Sequence, residues 1–196
     1  MIDTREFFSG LTALVVIDLQ RGVVDRETAP HTAKDVVTRT GRLVEAFHGK
    51  RLPVVFVRVS FDAGGGDALA PLLDDAVAAA SRPAGWDEIV PDLGARASDT
   101  IVTKRNWGAF YGTDLDLQLR RRSVTRIVLC GISTNIGVES TARDAYERNY
   151  PILFVEDAMA AMTAEEHAHA VGGVFRRMGI VRSSDAVVGA LAGAAY

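Results

Sequence analysis

The chain of 196 residues has a single cysteine, Cys130, and only six prolines. One cysteine excludes an intramolecular disulfide and is consistent with a reducing compartment. No apolar run reaches the roughly 20 residues that span a bilayer. The start, MIDTREFFSG, is acidic and lacks the apolar segment of a signal peptide. We therefore expect a cytoplasmic protein that has no membrane partner.

Basic charge is also scarce. Lysine and arginine total 22 against 25 acidic residues, for a net charge of −3, which argues against a nucleic-acid partner. The one basic cluster, residues 120–122, lies at a predicted helix end, where cations are favoured. Neither a GxGxxG motif nor a P-loop is present, so we expect no cofactor. Without repeats or linkers, residues 1–196 read as one domain.

What the chain does contain is a regular alternation of short apolar runs with amphipathic segments. This alternation predicts an α/β fold with a central six-stranded, mainly parallel sheet and right-handed crossovers. The predicted strands are residues 12–19, 53–59, 99–104, 126–130, 151–155 and 180–181. The predicted helices are 31–47, 72–80, 113–121, the segment after the fourth strand, 163–178 and 184–194.

Residues 60–98 are the least regular part of the chain, with three consecutive glycines and several prolines. Long loops in compact domains are usually lids, binding loops or assembly surfaces. A variable surface insertion is an equally good interpretation.

Residues that can carry chemistry follow three of the predicted strands. Asp18 ends the first strand, Lys104 ends the third, and Gly137 opens the helix after the fourth. Because parallel strands present their carboxyl ends at one edge, we expect these positions to converge. The turn before Gly137 also brings backbone N–H groups to a helix start, where they stabilise developing negative charge. A plain strand–helix connection is the alternative.

Three ordered segments resemble the isochorismatase-like hydrolases, also called the cysteine hydrolase superfamily. They are LVVIDLQ at 14–20, TKRNWGAFYGT at 103–113 and GISTNIGVESTARDA at 131–145. The resemblance covers the chain from about residue 11 to residue 191. It implies a three-layer α/β/α Rossmann-like domain that hydrolyses a small organic substrate.

The resemblance also implies catalytic roles. Asp18 would be the general acid or base, and Lys104 would hold it ionised and stabilise charge. Gly137 stands where most of the family has its nucleophilic cysteine, and glycine offers no side chain for covalent catalysis. Cys130 lies within an apolar strand, where a free cysteine is usually a small buried hydrophobe rather than a substitute nucleophile.

True isochorismatases in this superfamily also lack the cysteine, which suggests Asp-driven hydrolysis of a vinyl ether without an acyl-enzyme. An amide or carbamoyl hydrolase that uses activated water is a second interpretation. A third is a catalytically inactive paralogue that binds a small molecule or serves assembly. A buried Asp–Lys pair is costly to keep without a use, which favours the enzymes over the third interpretation.

Four side chains near these positions are candidates for substrate binding. Gln20 follows Asp18 by two residues and either orients its carboxylate or faces solvent as a free amide. Trp107, Phe110 and Tyr111 follow Lys104 and either wall an apolar pocket or seal the core or a subunit interface.

The turn after the fourth strand supplies the remaining candidates. Ile132 and Ser133 occupy the place of a non-proline cis peptide in the family, and Ile136 lies at the helix start.

No catalytic metal is expected. The family's nicotinamidases bind one through an aspartate and two histidines after the second strand, but residues 59–66 contain no histidine. His167 and His169 are two apart on a predicted helix, so they face different directions. Most of the family self-associates, which implies a homodimer or homotetramer, with residues 190–196 as one possible contact.

Overall fold

The computed structural model describes residues 3–74 and 82–194. Its centre is a six-stranded sheet in which every neighbouring pair of strands is parallel. The strands are β1 Thr12–Ile17, β2 Val54–Val59, β3 Thr100–Lys104, β4 Arg126–Ile132, β5 Ile152–Ala160 and β6 Gly179–Arg182.

The strand order is β3-β2-β1-β4-β5-β6. The chain therefore starts at the centre, builds one half of the sheet outward, and returns to the centre to build the other half. Neighbouring β1 and β4 belong to different halves, and their connections leave on opposite sides. The crevice at their carboxyl ends is the topological switch point at which such sheets bind ligands.

Helices cover both faces of the sheet, which confirms the predicted three-layer α/β/α architecture. Strand β1 shows why two layers are needed, because all six of its residues are buried. The helices are α1 Thr4–Phe7, α2 Arg21–Val24, α3 Ala33–Gly49, α4 Leu115–Arg121, α5 Glu139–Glu147, α6 Ala164–His169, α7 Arg176–Met178 and α8 Ser184–Ala192. On β1, Leu14 and Val16 face a cluster with α1, α3 and α8, whereas Ala13, Val15 and Ile17 face one with α4, α5 and a π-helical segment.

Two π-helical turns and one 3₁₀ turn complete the described elements. The π-helical turns, Thr134–Val138 and Ala170–Phe175, each continue into an α-helix. The 3₁₀ turn is Pro91–Leu93. In the part of the chain that the structure describes, no helix has both the length and the apolar character needed to cross a bilayer.

Several predicted boundaries need correction. Strand β1 ends at Ile17 rather than at residue 19, because Asp18 has a left-handed backbone with φ of 53°. Strand β5 runs past residue 155 to Ala160, since a bulge lets it rejoin β4 after Leu129. Helix α4 starts at Leu115 rather than at residue 113.

Helix α6 begins with a capping box of Thr163 and Glu166, with both reciprocal hydrogen bonds present. Most of the predicted helix 72–80 lies outside the described residues, and its first three residues are not helical.

Gly131, at the end of β4, permits the close approach of β1 and β4. Its φ is +125°, and a Cβ atom there would lie 2.1 Å from the carbonyl oxygen of Ile17. We expect Gly131→Ala to lower the free energy of unfolding by about 3 kcal/mol, since both backbone strain and a clash result. Chemical denaturation of the variant and the wild type measures the difference.

The matched control is Gly189→Ala in α8, where an added Cβ meets nothing within 4 Å. This change should raise the free energy of unfolding by up to about 1 kcal/mol, as for other exposed helical glycines. Equal stabilities for Gly131→Ala and the wild type would contradict the close approach described here.

Candidate active site

Asp18 lies immediately after β1, at the switch point of the sheet. Its backbone N–H donates to the carbonyl of Val57 on β2 at 2.9 Å, although its φ of 53° has already ended the strand. Aspartate tolerates this left-handed conformation better than most residues with a Cβ atom. The backbone therefore turns at Asp18 itself, the residue that is predicted to be the general acid or base.

Lys104 at the end of β3 reaches this carboxylate. Its Nζ lies 2.8 Å from Oδ2 of Asp18, and the two side chains are only 3% and 9% exposed. The ammonium also donates to the carbonyl of Asn106 at 3.0 Å, which fixes its position. The predicted convergence of the two strand ends is thus observed, across the intervening strand β2.

Burial controls the charge state of Asp18. It raises the pKa of this carboxyl from 3.8 to about 6, even though the charge and hydrogen bond of Lys104, and to a smaller extent the nearby backbone N–H of Val59, act in the opposite direction. The better-placed acceptor for that N–H is Oε1 of Gln20, at 2.8 Å. Oδ1 of Asp18 is buried and has no hydrogen-bond partner among the described residues. A carboxyl with such a pKa and one unengaged oxygen can both donate and accept a proton near neutral pH.

Gly137 completes the group of three predicted catalytic positions. It lies in the π-helical turn Thr134–Val138, and a Cβ atom there would be 3.1 Å from Oδ2 of Asp18 and 3.0 Å from Cγ2 of Ile17. A side chain at this position would therefore point at the carboxylate. Glycine supplies no such side chain.

The turn that leads to Gly137 contains a non-proline cis peptide bond between Ile132 and Ser133, at the place that the family resemblance implies. The carbonyl of Ser133 accepts hydrogen bonds from the N–H groups of Ile136 and Val138, at 3.2 and 3.1 Å. Ile132 is buried in the core, whereas Ser133 and Ile136 are half-buried. These three candidates thus surround the turn, and a role in substrate binding stays a prediction for each.

Thr141 connects this turn to the segment after Lys104, and it was not predicted from the sequence. Its hydroxyl donates to the carbonyl of Gly137 at 2.6 Å and accepts from the N–H of Ala109 at 3.1 Å. The residue is fully buried. A spacing of four from Gly137 indicates the first bond, but no local pattern indicates the second, because Ala109 is 32 residues away.

Gln20 requires a correction, because neither predicted role is observed. Its side chain is fully buried and pairs with the backbone of Val59, with Nε2 donating to the carbonyl at 2.9 Å and Oε1 accepting from the N–H at 2.8 Å. The amide therefore neither orients the Asp18 carboxylate nor faces solvent. Instead, it fixes the end of β2 beside the site.

The aromatic residues after Lys104 do not form one wall. Phe110 is 5% exposed and packs in the core, with its ring centroid 6.0 Å from that of Tyr150. This burial favours the core-sealing interpretation, and a role of Phe110 in substrate binding stays a prediction. Trp107 and Tyr111 are 60% and 72% exposed. Both stay candidates for contact with substrate or with another subunit.

Cys130 behaves as a structural residue. It is fully buried in β4, and burial raises the pKa of its thiol to about 12. Only the thiolate is a competent nucleophile. The thiol therefore stays protonated at neutral pH and does not replace the missing cysteine.

A second polar group, formed by His31, Glu156 and His167, lies next to the π-helical turn. One ligand atom from each residue lies within 4.8 Å of the others. His167 also pairs through Nδ1 with the hydroxyl of Thr134 at 2.9 Å, and burial together with the charge of His31 lowers its pKa. The group was not predicted, because its members are far apart in sequence. The absence of a catalytic metal stays a prediction.

The chain matches the family model described as the isochorismatase domain over residues 12–186. It is 48% identical over 180 residues to the isochorismatase family protein YecD of Escherichia coli O157:H7, covering 92% of this chain and 96% of YecD. A solved isochorismatase family protein from Burkholderia thailandensis superposes with a TM-score of 0.90 at 44% identity, covering 93% and 96% of the two chains. N-carbamoylsarcosine amidase from Thermoplasma acidophilum superposes with a TM-score of 0.71 at 29% identity, covering 89% and 96%.

The carboxyl of Asp18 should titrate well above other aspartates. We expect the chemical shift of its carboxyl carbon to change with a midpoint near pH 6. In Lys104→Met the midpoint should move higher, because the ammonium that favours the ionised form is gone. Carbon-detected NMR across a pH series gives both midpoints.

Asp35 provides the internal control for this titration. A hydrogen bond from the Thr32 hydroxyl lowers the pKa of its carboxyl below 3.8, and the residue lies outside the site. Its midpoint should be the same in the wild type and in Lys104→Met. An Asp18 midpoint at or below that of Asp35 would contradict the dominance of burial.

Proposed function

Since this chain belongs to the isochorismatase family of hydrolases, we propose that it cleaves a small organic substrate by proton transfer from Asp18, without a covalent intermediate. The observation that supports this proposal is the state of Asp18. Its carboxyl is buried, has a pKa raised to about 6 and keeps Oδ1 free of hydrogen bonds from the described residues. At pH 7, about a tenth of such carboxyls carry the proton that the reaction needs.

The substrate class that we propose is a vinyl ether of the isochorismate type. Protonated Asp18 donates its proton to the terminal methylene carbon, which becomes a methyl group and leaves an oxocarbenium ion. Water adds to that cation and gives one proton to the Asp18 carboxylate, which regenerates the acid form of Asp18. The resulting hemiketal breaks its C–O bond and releases pyruvate and an alcohol. The net reaction consumes one water molecule and requires no nucleophilic side chain.

Lys104 and Gly137 contribute in different ways. After proton transfer the Asp18 carboxylate is negative, and the ammonium 2.8 Å from Oδ2 stabilises that charge in a water-poor site. Gly137 places no side chain of its own next to this carboxylate, where the family usually has a thiol. The site therefore combines an acid and a fixed cation, without a nucleophilic side chain.

An amide or carbamoyl group is the second substrate class, and the similarity to N-carbamoylsarcosine amidase favours it. Here ionised Asp18 would take a proton from water, which would attack the carbonyl carbon directly. The missing thiol weighs against this reaction, because an amide is hard to cleave without a covalent intermediate. The third interpretation is a binding protein without turnover.

The expected homodimer or homotetramer stays a prediction.

The test is release of pyruvate from isochorismate by the wild type and by Asp18→Asn. We expect turnover by the wild type and a loss of about 100- to 10,000-fold in the variant, the usual contribution of a general acid. Pyruvate is measured with a coupled lactate dehydrogenase assay.

The matched control for this assay is Asp92→Asn, an exposed aspartate in the turn Pro91–Leu93 that should leave turnover unchanged. Full activity of Asp18→Asn would refute the proposed role of the carboxyl. A wild type that releases ammonia from N-carbamoylsarcosine but no pyruvate from isochorismate would favour the second class. Binding of either compound without turnover would favour the third interpretation.

A further inference from the structure

The polar group next to the active-site turn has the composition of a metal site. His31 follows the loop after α2, Glu156 lies in β5, and His167 lies in α6. We propose that these three side chains bind one divalent transition-metal ion, with Zn²⁺ as the ion that fits them best. The proposal concerns a site other than the Asp18 carboxyl and does not depend on the reaction proposed above.

The donor atoms define the class of ion. Two imidazoles and one carboxylate are a ligand set that zinc uses when one coordination position is left open for water. The same set holds iron(II) in non-haem sites, so transition metals as a class are favoured. Mg²⁺ and Ca²⁺ prefer sites made entirely of oxygen atoms. The group should therefore discriminate between zinc and the hard cations.

The spacing of the group suits an ion after a small movement. Its three ligand atoms lie within 4.8 Å of one another. Bonds of about 2.0–2.2 Å to zinc place tetrahedral ligand atoms about 3.5 Å apart, so the separations must shrink by no more than about 1.3 Å. His31 and Glu156 are half-buried, which leaves their side chains room to rotate and leaves the ion a path of entry.

His167 is the rigid member of the set. It is 5% exposed, and its Nδ1 pairs with the hydroxyl of Thr134 at 2.9 Å. In the tautomer whose Nδ1–H donates to Thr134, the lone pair lies on Nε2, which can bind a metal. The capping box of Thr163 and Glu166 fixes the start of α6 that carries it. Such an outer partner is typical of histidines that bind metals in proteins.

The backbone brings His31 to the other two residues. Ala29 and Ala161 form an isolated antiparallel bridge, with both N–H groups donating to the opposite carbonyl at 2.9 Å. This bridge holds the segment before His31 against the chain just after β5. The rings of His31 and His167 then meet edge to face, with centroids 6.0 Å apart. Two histidines and a glutamate would thus be held together without a local sequence motif.

The position of the group connects it to the active-site turn. Thr134, the partner of His167, is the first residue of the π-helical turn that carries Gly137. A bound ion would connect the His31 segment, β5 and α6 to that turn through His167. The family's nicotinamidase site lies elsewhere, after the second strand, so these ligands would form a separate centre.

The experiment is calorimetric titration of Zn²⁺ into purified chain that has been stripped with a chelator. We expect about one Zn²⁺ per chain for the wild type, and binding weakened by at least about 100-fold in His31→Ala and in Glu156→Gln. Both substitutions alter half-buried side chains, and circular dichroism of the metal-free variants checks that the fold is kept. Mg²⁺ in excess should not displace the zinc.

His169→Ala is the matched control, because His169 lies in α6 two residues after His167 but is exposed and outside the group. It should bind zinc as the wild type does. X-ray absorption at the zinc edge should show two imidazole ligands in the wild type and one in His31→Ala. No binding by the wild type, or equal binding by wild type, His31→Ala and Glu156→Gln, would overturn the proposal.

Discussion

The ion pair between Asp18 and Lys104 is the interaction on which the rest of the site depends. Burying two charges costs several kcal/mol per ion, and this is offset only when the geometry of the pair is close and fixed. Here the pair spans from the end of β1 to the end of β3, so strand β2 must hold its two neighbours in register. The parallel sheet is thus the support that makes a 2.8 Å contact possible in the interior.

Two buried side chains around the ion pair also hold the surrounding strand and turn in place. Gln20 ties the backbone of Val59 to the segment after β1, which fixes β2 beside Asp18. Thr141 ties the turn at Gly137 to the segment after Lys104. Neither side chain contacts the carboxylate, yet each holds one of the elements that surround it. Buried polar residues near this edge are thereby explained as supports rather than as catalysts.

The absence of a thiol at Gly137 explains why a raised pKa of Asp18 would be useful for catalysis. Where a cysteine attacks, the aspartate has a nucleophile to activate, and an ionised form serves best. Without one, a carboxyl that holds its proton near neutral pH can itself begin the reaction. Lys104 limits how far burial raises this pKa, and its ammonium stabilises the negative carboxylate once the proton has left. The pair therefore suits acid catalysis better than it suits a purely structural role.

The sequence predicts much of this arrangement, because strand ends of a parallel sheet share an edge. Asp18, Lys104 and Gly137 converge as expected from that rule alone, with the family resemblance supplying their roles. Other side chains near the site were harder to predict, because they are held by contacts between distant parts of the chain. The partner of Gln20 is 39 residues away, and the burial of Phe110 depends on Tyr150. The group of His31, Glu156 and His167 likewise forms only when three separate segments meet.

The most direct test of the central claim is the pH dependence of kcat/KM for pyruvate release from isochorismate, between about pH 4 and pH 9. Acid catalysis by Asp18 predicts a constant value at low pH and a tenfold fall per pH unit above about 6, where the carboxyl loses its proton. A value of kcat/KM that rises through pH 6 would mean that the ionised carboxylate is the active form. That result would contradict the proton-donor role proposed here.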